Sequence, residues 1–166
     1  MFELKKLSPG ALDAALERAT HYRLLNHPFL AESICRDILD VRPDSEEAKV
    51  TLLLTLCDQF GVVGGATMKT ALAVVQGLAG EYERRYYTGI VYERTAFAGL
   101  RRGGPGAGPV AYDWFMKAMQ HFELAAELRP EGNDDAILRW NTCARVVDAR
   151  PDVHAGHHDA GPSMLE

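Results

Sequence analysis

The sequence predicts an all-α fold, a stack of antiparallel helix pairs with about seven helices, and three observations carry that expectation. First, Ala31, Cys35, Ile38 and Pro43 are spaced as Ala118, Phe122, Ala125 and Pro130 are. In both segments a small residue is followed, four positions later, by a larger apolar one on the same helical face. A proline stands twelve residues after each of these alanines and closes the helix. Second, Leu12, Ala15, Leu16, Ala19 and Tyr22 form one apolar stripe, and Phe29, Ala31, Ile34, Cys35, Ile38 and Leu39 form another. The short Asn26-His27-Pro28 turn between them forces the two helices to pack antiparallel. Third, 166 residues that are 47% apolar and 25% charged suffice for one domain with a sizeable core.

Taken in order, the elements have local causes. Ser8-Pro9 starts a helix that runs to about Leu25, because a proline costs nothing in the first turn. The second helix spans Pro28 to about Val41. Asp44-Ser45-Glu46-Glu47 reads as a capping box, with Asp44 accepting from the backbone and Glu47 reaching back. The third helix then runs to about Phe60, with Gly61 as its left-handed stop. Ala66 to Leu78 follows as a fourth helix through Ala66, Met68, Ala71, Leu72, Val75 and Leu78. Glu81 to Arg102 is the longest helical pattern, and Gly103 ends it. Four glycines and two prolines in residues 103–109 do not hold a helix. A sixth helix therefore starts near Val110 and reaches Arg129. Asn133 or Asp134 caps the last, to about Ala149, with Ile137, Trp140, Ala144 and Val147 facing inward. Residues 1–149 thus form the helical domain, and Pro, Gly, His and Asp dominate 150–166, which reads as a disordered tail.

Charge and cysteines narrow the function classes. A net charge of -5 disfavours general binding to nucleic acid or an anionic membrane, which rests on Lys and Arg. Cys35, Cys57 and Cys143 are odd in number and each sits in an apolar helical pattern, as free thiols in a reducing compartment do. Met1 to Gly10 carries two lysines with no apolar run long enough for export, so the expected location is cytoplasmic.

The repeated segments resemble the second helix of a tetratricopeptide repeat, which pairs an alanine with a downstream aromatic and a terminal proline. In the first helix of such a repeat the Gly and Tyr slots are Ala19 and Tyr22, while the Trp and Leu slots hold Ala15 and Arg18. One repeat length on, the Gly and Tyr slots hold Leu53 and Leu56, and the later slots hold Gly65, Lys69, Leu72 and Gly77. Gly89 and Tyr92 fill the slots of a third repeat, with 17 residues added between its two helices. The resemblance implies a right-handed superhelical stack of about three repeats with a C-terminal capping helix. It further implies a non-enzymatic adaptor, without cofactor or metal, that takes a peptide or helix of a partner protein in a concave groove. The groove-facing slots are Leu16, Thr20, Val50, Leu54, Tyr86, Ile90, Arg94 and Asn141. The Lys and Asn set with which some members grip a C-terminal carboxylate is replaced here by Leu16 and Thr20. A small cytoplasmic secretion-type chaperone and a ligand-sensing accessory subunit are the alternatives, and a homo-oligomer is compatible with each.

Other constellations read more simply. Gly64-Gly65-Ala-Thr-Met-Lys69-Thr70 lacks the glycine before the lysine that a phosphate loop needs, and reads as a loop opening a helix. The glycine-rich segment 103–108 reads as a hinge or flexible arm. His154, His157 and His158 with Asp152 and Asp159 are competent metal ligands, but a flexible tail favours adventitious binding. Tyr82, Tyr86, Tyr87 and Tyr92 share a helix with Arg84, Arg94, Arg101 and Arg102, and these four arginines fall within about 100° of one another on a helical wheel. They form an alternative basic patch for a carboxylate or an acidic peptide. The plainer account makes the tyrosines core and pairs the arginines with Glu81 and Glu93.

Overall fold

A computed structural model describes residues 2–156. Within them the chain is all-helical, with no strand: a 3-10 turn Pro9–Ala11 leads into α1 (Leu12–Leu24), followed by α2 (Pro28–Val41), α3 (Glu46–Asp58), α4 (Met68–Gln76), α5 (Glu81–Arg102), α6 (Ala107–Leu128) and α7 (Asp135–Ala149). Each helix packs on the next in chain order, and α1 also touches α3 as α3 touches α5. The helices therefore stack as successive hairpins, with α3 beside both α1 and α5. No helix among the described residues is long and apolar enough to cross a membrane.

The three helix pairs share one packing device. In α2 the triplet Ala31, Cys35 and Ile38 is at most 2% exposed, and in α6 Ala118, Phe122 and Ala125 are fully buried. Ala71, Val75 and Leu78 repeat that spacing around α4, again at 2% exposure or less. The middle pair thus keeps the small-then-larger pattern six residues later than a fixed repeat places it, at Ala71 and not Gly65. The cause is loop length. α1 and α3 are both 13 residues long and start 34 apart. The connection after α1 is residues 25–27, whereas that after α3 is 59–67, six longer.

That longer loop is held by a buried amide. Gln59 is 1% exposed. Its Nε2 donates to Glu32 Oε2 at 2.5 Å, and its Oε1 accepts from the Ala66 backbone N–H at 3.3 Å. Both ends of the side chain are satisfied, as a buried amide requires.

Several expected details are corrected. Ser45, not Asp44, caps α3, accepting from Ala48 N at 3.3 Å, because its shorter side chain sits at the residue where the backbone is still extended. α4 starts at Met68 and not Ala66, where the Thr67 hydroxyl caps it by accepting from Thr70 N. α6 starts at Ala107, three residues before Val110, so only 103–106 is loop. Pro109 is tolerated because a first-turn N–H has no intrahelical partner to lose. The inner face of α7 is set by Ala136 and Cys143, both fully buried, with Trp140, Val146 and Val147 beside them. Ile137 and Ala144 flank that line at intermediate exposure.

The expectation of disorder from Arg150 onward fails for residues 150–156. Val153 is 2% exposed and joins the core of α5, α6 and α7. The strand of backbone carrying it crosses the start of α6 at Gly108, where a methyl group would overlap the Asp152 carbonyl. Arg150 grips Asp152 through two hydrogen bonds of 2.8 and 3.2 Å. His157, His158 and Asp159 lie outside the described residues.

The tightest helix contact joins α5 to α6. A Cβ built on Gly89 would stand 2.5 Å from Phe122 Cε1, and the ring is fully buried. Gly89→Ala is expected to destabilise by about 1 to 2 kcal/mol, overpacking outweighing the roughly 1 kcal/mol gained in helix propensity. Phe122→Ala should cost about 3 to 5 kcal/mol by cavity formation, and Ala118→Leu about 1 to 3 kcal/mol by overpacking. Urea denaturation of both singles and the Gly89→Ala/Phe122→Ala double variant checks the contact directly. The double variant should lose less than the sum, since removing the ring makes room for the methyl.

Candidate functional site

The site is built where α1, α3 and α5 end together. A cavity of ≈ 710 Å³ opens there, walled by Arg23 and Leu24 of α1, Cys57 and Asp58 of α3, Phe60 to Val62 of the following loop, and Arg94, Ala98, Arg101 and Arg102 of α5. Helical spacing explains the convergence. Leu24 lies one and two turns beyond Thr20 and Leu16, and Asp58 one and two turns beyond Leu54 and Val50. Arg94 stands in the same relation to Ile90 and Tyr86. The cavity therefore continues, by one turn, the stripe of groove positions expected from sequence.

The electrostatics are uneven. Arg23 Nε meets Asp58 Oδ2 at 2.6 Å, both side chains about a fifth exposed, and this pair ties α1 to α3. Arg94 Nε is buried without a hydrogen-bond partner. Arg101 and Arg102 are exposed on the last turn of α5. Three helix C-termini also meet here, each worth roughly half a negative charge. Four guanidiniums line the wall against one carboxylate, with Glu93 acting on Arg94 from behind, so the lining is richer in cations than in carboxylates.

The other expected site residues scatter. Of the eight groove positions only Arg94 lines this cavity. Ile90 is 1% exposed and belongs to the core, so it offers no surface to a ligand. Leu54 and Tyr86 pack against that same core, Leu16 packs against a separate one around Leu12 and Ile38, Thr20 is exposed, and Val50 and Asn141 are half-buried. The four-arginine patch is split. Arg84 Nη1 donates to the Leu78 and Ala79 carbonyls at 2.7 Å each and so closes the α4–α5 corner. A patch running from residue 84 to 102 spans about 27 Å of helix, too long for one cavity. Arg23 lies on α1, a different helix from the expected arginine patch. The signal for it was present: it follows Thr20 by three residues on the same face.

Glu93 is bonded to α7, and its charge also acts on Arg94 and Cys57 at the back of the arginine cavity. It is 1% exposed, its Oε2 is 3.3 Å from Arg139 Nη1, and Cys143 Sγ donates to Oε1 at 3.9 Å. Burial pushes its pKa up, against the pull of Arg139 and Arg94. Glu81 pairs with Arg85 at 3.6 Å. The tyrosines are packing groups. Tyr82 stacks on Tyr86 at 5.8 Å, Tyr86 tilts against Phe122 at 5.9 Å, and Tyr92 stacks on Trp114 at 5.5 Å.

A second cavity of ≈ 580 Å³ lies between α4, α5 and α6, where Lys69, Glu81, Arg84, Arg85 and His121 meet. His121 has its pKa lowered, first by burial and then by Arg85. Gly64 to Thr70 forms a loop and a capped helix start, the plain alternative to a phosphate loop. Among the described residues no three potential ligands cluster for a metal. Asp152 is engaged by Arg150, and His154 Nδ1 lies 2.8 Å from the Ala155 carbonyl oxygen.

No protein-family model, curated protein or solved structure matches the chain.

Burial pushes the thiols of Cys57 and Cys143 up to about 12 and that of Cys35 to about 11, so Cys57 is a cavity wall and not a nucleophile at neutral pH. Titration with a chromogenic disulfide near neutral pH should therefore detect no thiol in the native protein and all three, Cys35, Cys57 and Cys143, in denaturant. His121 gives a pH test. Folding favours its neutral ring, so its contribution is whole above the unfolded value of 6.5 and is lost as pH falls from there towards the lower folded value. Melts between about pH 7.5 and 5.5 should show a decline that His121→Gln flattens.

Proposed function

We propose that the chain is a non-enzymatic scaffold of the tetratricopeptide type, a right-handed superhelical stack of three helix pairs with α7 as its closing helix. It takes an extended segment or a helix of a partner protein on the face made by α1, α3 and α5. The observation that carries this reading is the cavity whose walls come from all three alternate helices at once. The 34-residue offset of α1 and α3 supports it, as do the three buried triplets of the second helices. The reading requires neither cofactor nor metal, and the net charge of -5 weighs against nucleic acid or an anionic membrane as the partner.

A small chaperone is the second reading, and one observation favours it. Leu24, Leu25, Phe29 and Leu30 at the α1–α2 turn, and Val62 and Val63 in the α3–α4 loop, are 49 to 100% exposed. Such apolar side chains along one edge suit a client that is not yet folded.

Photo-crosslinking residues placed at Thr20 and Val50, with Asp113 on the exposed side of α6 as the control, test the scaffold in cells that express the chain. Crosslinks to a polypeptide should form at Thr20 and Val50 several-fold more often than at Asp113. Equal yields at all three positions would remove the reading. A partner that aggregates once released, and stays soluble when bound, would select the chaperone.

A further inference from the structure

We infer that the arginine cavity reads acidic residues: it takes side-chain carboxylates of an acidic segment of a partner protein, while the adjoining cleft seats a neighbouring aliphatic side chain. This deepens the scaffold reading and rests on it. Arg23 is held by Asp58, but Arg101 and Arg102 form no ion pair among the described residues, and Arg94, though it feels the charge of Glu93, has its Nε buried without an acceptor. A buried guanidinium N–H with nothing to donate to is unfavourable, so an acceptor brought by a ligand gains more there than at an exposed arginine.

Spacing then suggests the shape of the ligand. Arg94 and Arg101 are seven residues apart on α5, about 10 Å along the axis. Two carboxylates three residues apart in an extended chain span a similar distance, about 10 Å. The cavity shares Phe60, Gly61, Val62, Ala98 and Arg102 with a cleft of ≈ 490 Å³ that continues over Val63, Ala66 and Met68. Val63 is 100% exposed and Val62 49%, and Leu24, on the opposite rim, is 78% exposed. A small free anion would satisfy the guanidiniums and leave this apolar ground wet. An acidic segment with a leucine-, isoleucine- or valine-type neighbour covers both.

The test uses the full chain and a displayed library of random peptides of about a dozen residues. Peptides selected on the wild type should pair Asp or Glu with an adjacent aliphatic residue. Their affinity, read by fluorescence anisotropy, should fall about tenfold or more in Arg101→Gln/Arg102→Gln. Both residues are exposed, so this variant should fold; Arg94→Gln should weaken binding similarly, with circular dichroism and melting checking its fold. Val63→Asp, at a fully exposed position, should repel the same peptides. Raised salt should weaken binding, and millimolar inorganic phosphate should compete poorly. Selected peptides without acidic residues, or binding untouched by the arginine substitutions, would overturn the inference and leave the scaffold standing. Full displacement by phosphate would reassign the cavity to a small anion. A library that yields no peptide above background would remove the scaffold reading as well.

Discussion

The ring of Phe122 occupies its place only because the α5 backbone, bare of a side chain at Gly89, comes within contact distance of it. Much of the molecule leans on that approach. α5 packs on α3, α4 and α6, and it carries Glu93 towards α7. Were α6 pushed outward by one methyl group, Ala118 would lose its fit in the core shared with α5, and Val153 would lose the floor on which it sits. The first helix pair solves the same problem with different sizes. There Ala19, fully buried, shares a core with Cys35, a side chain far smaller than phenylalanine. A larger residue on one helix is tolerated where the other provides a smaller one, which is how unlike sequences can stack in like fashion.

Regular periodicity was legible and irregular loops were not. Residues 81–102 read as one helix from sequence and fold as one, because neither glycine nor proline outweighs the pattern until Gly103. The apolar stripe of the fourth helix gives it to within two residues at each end, but counting by a fixed interval misses its repeat positions, since it ignores six extra loop residues. Asp44 and Ser45 are both good caps on paper; which one serves depends on where the backbone leaves the extended region. Val153 was hidden for a different reason. A lone valine amid Pro, Gly, His and Asp carries no periodicity, and its burial is decided by Gly108, 45 residues earlier in the chain.

The cavity shows the same limit. Periodicity placed Arg94 on the face that bears it, but only three-dimensional proximity brings Arg23 of α1 across to meet α5. Composition is silent on this point, since a chain of net charge -5 still gathers four arginines around one aspartate. The helix ends explain part of the gathering. Cations are favoured where carbonyls are left without intrahelical partners, and three such ends coincide here. Glu93 is treated oppositely: it is taken out of solvent and answered by one arginine from α7, so that removing either member would strand a buried charge or an unmatched cation.

Val153 also decides how the molecule bears a mechanical load. A pull on the backbone beyond Gly156 meets resistance first at the valine wedged into the core beside α6, before any tension reaches the last turn of α7. The closing helix is thereby shielded from peeling off its own end, and force is spread over the α5–α6 body, the most deeply interlocked part of the stack.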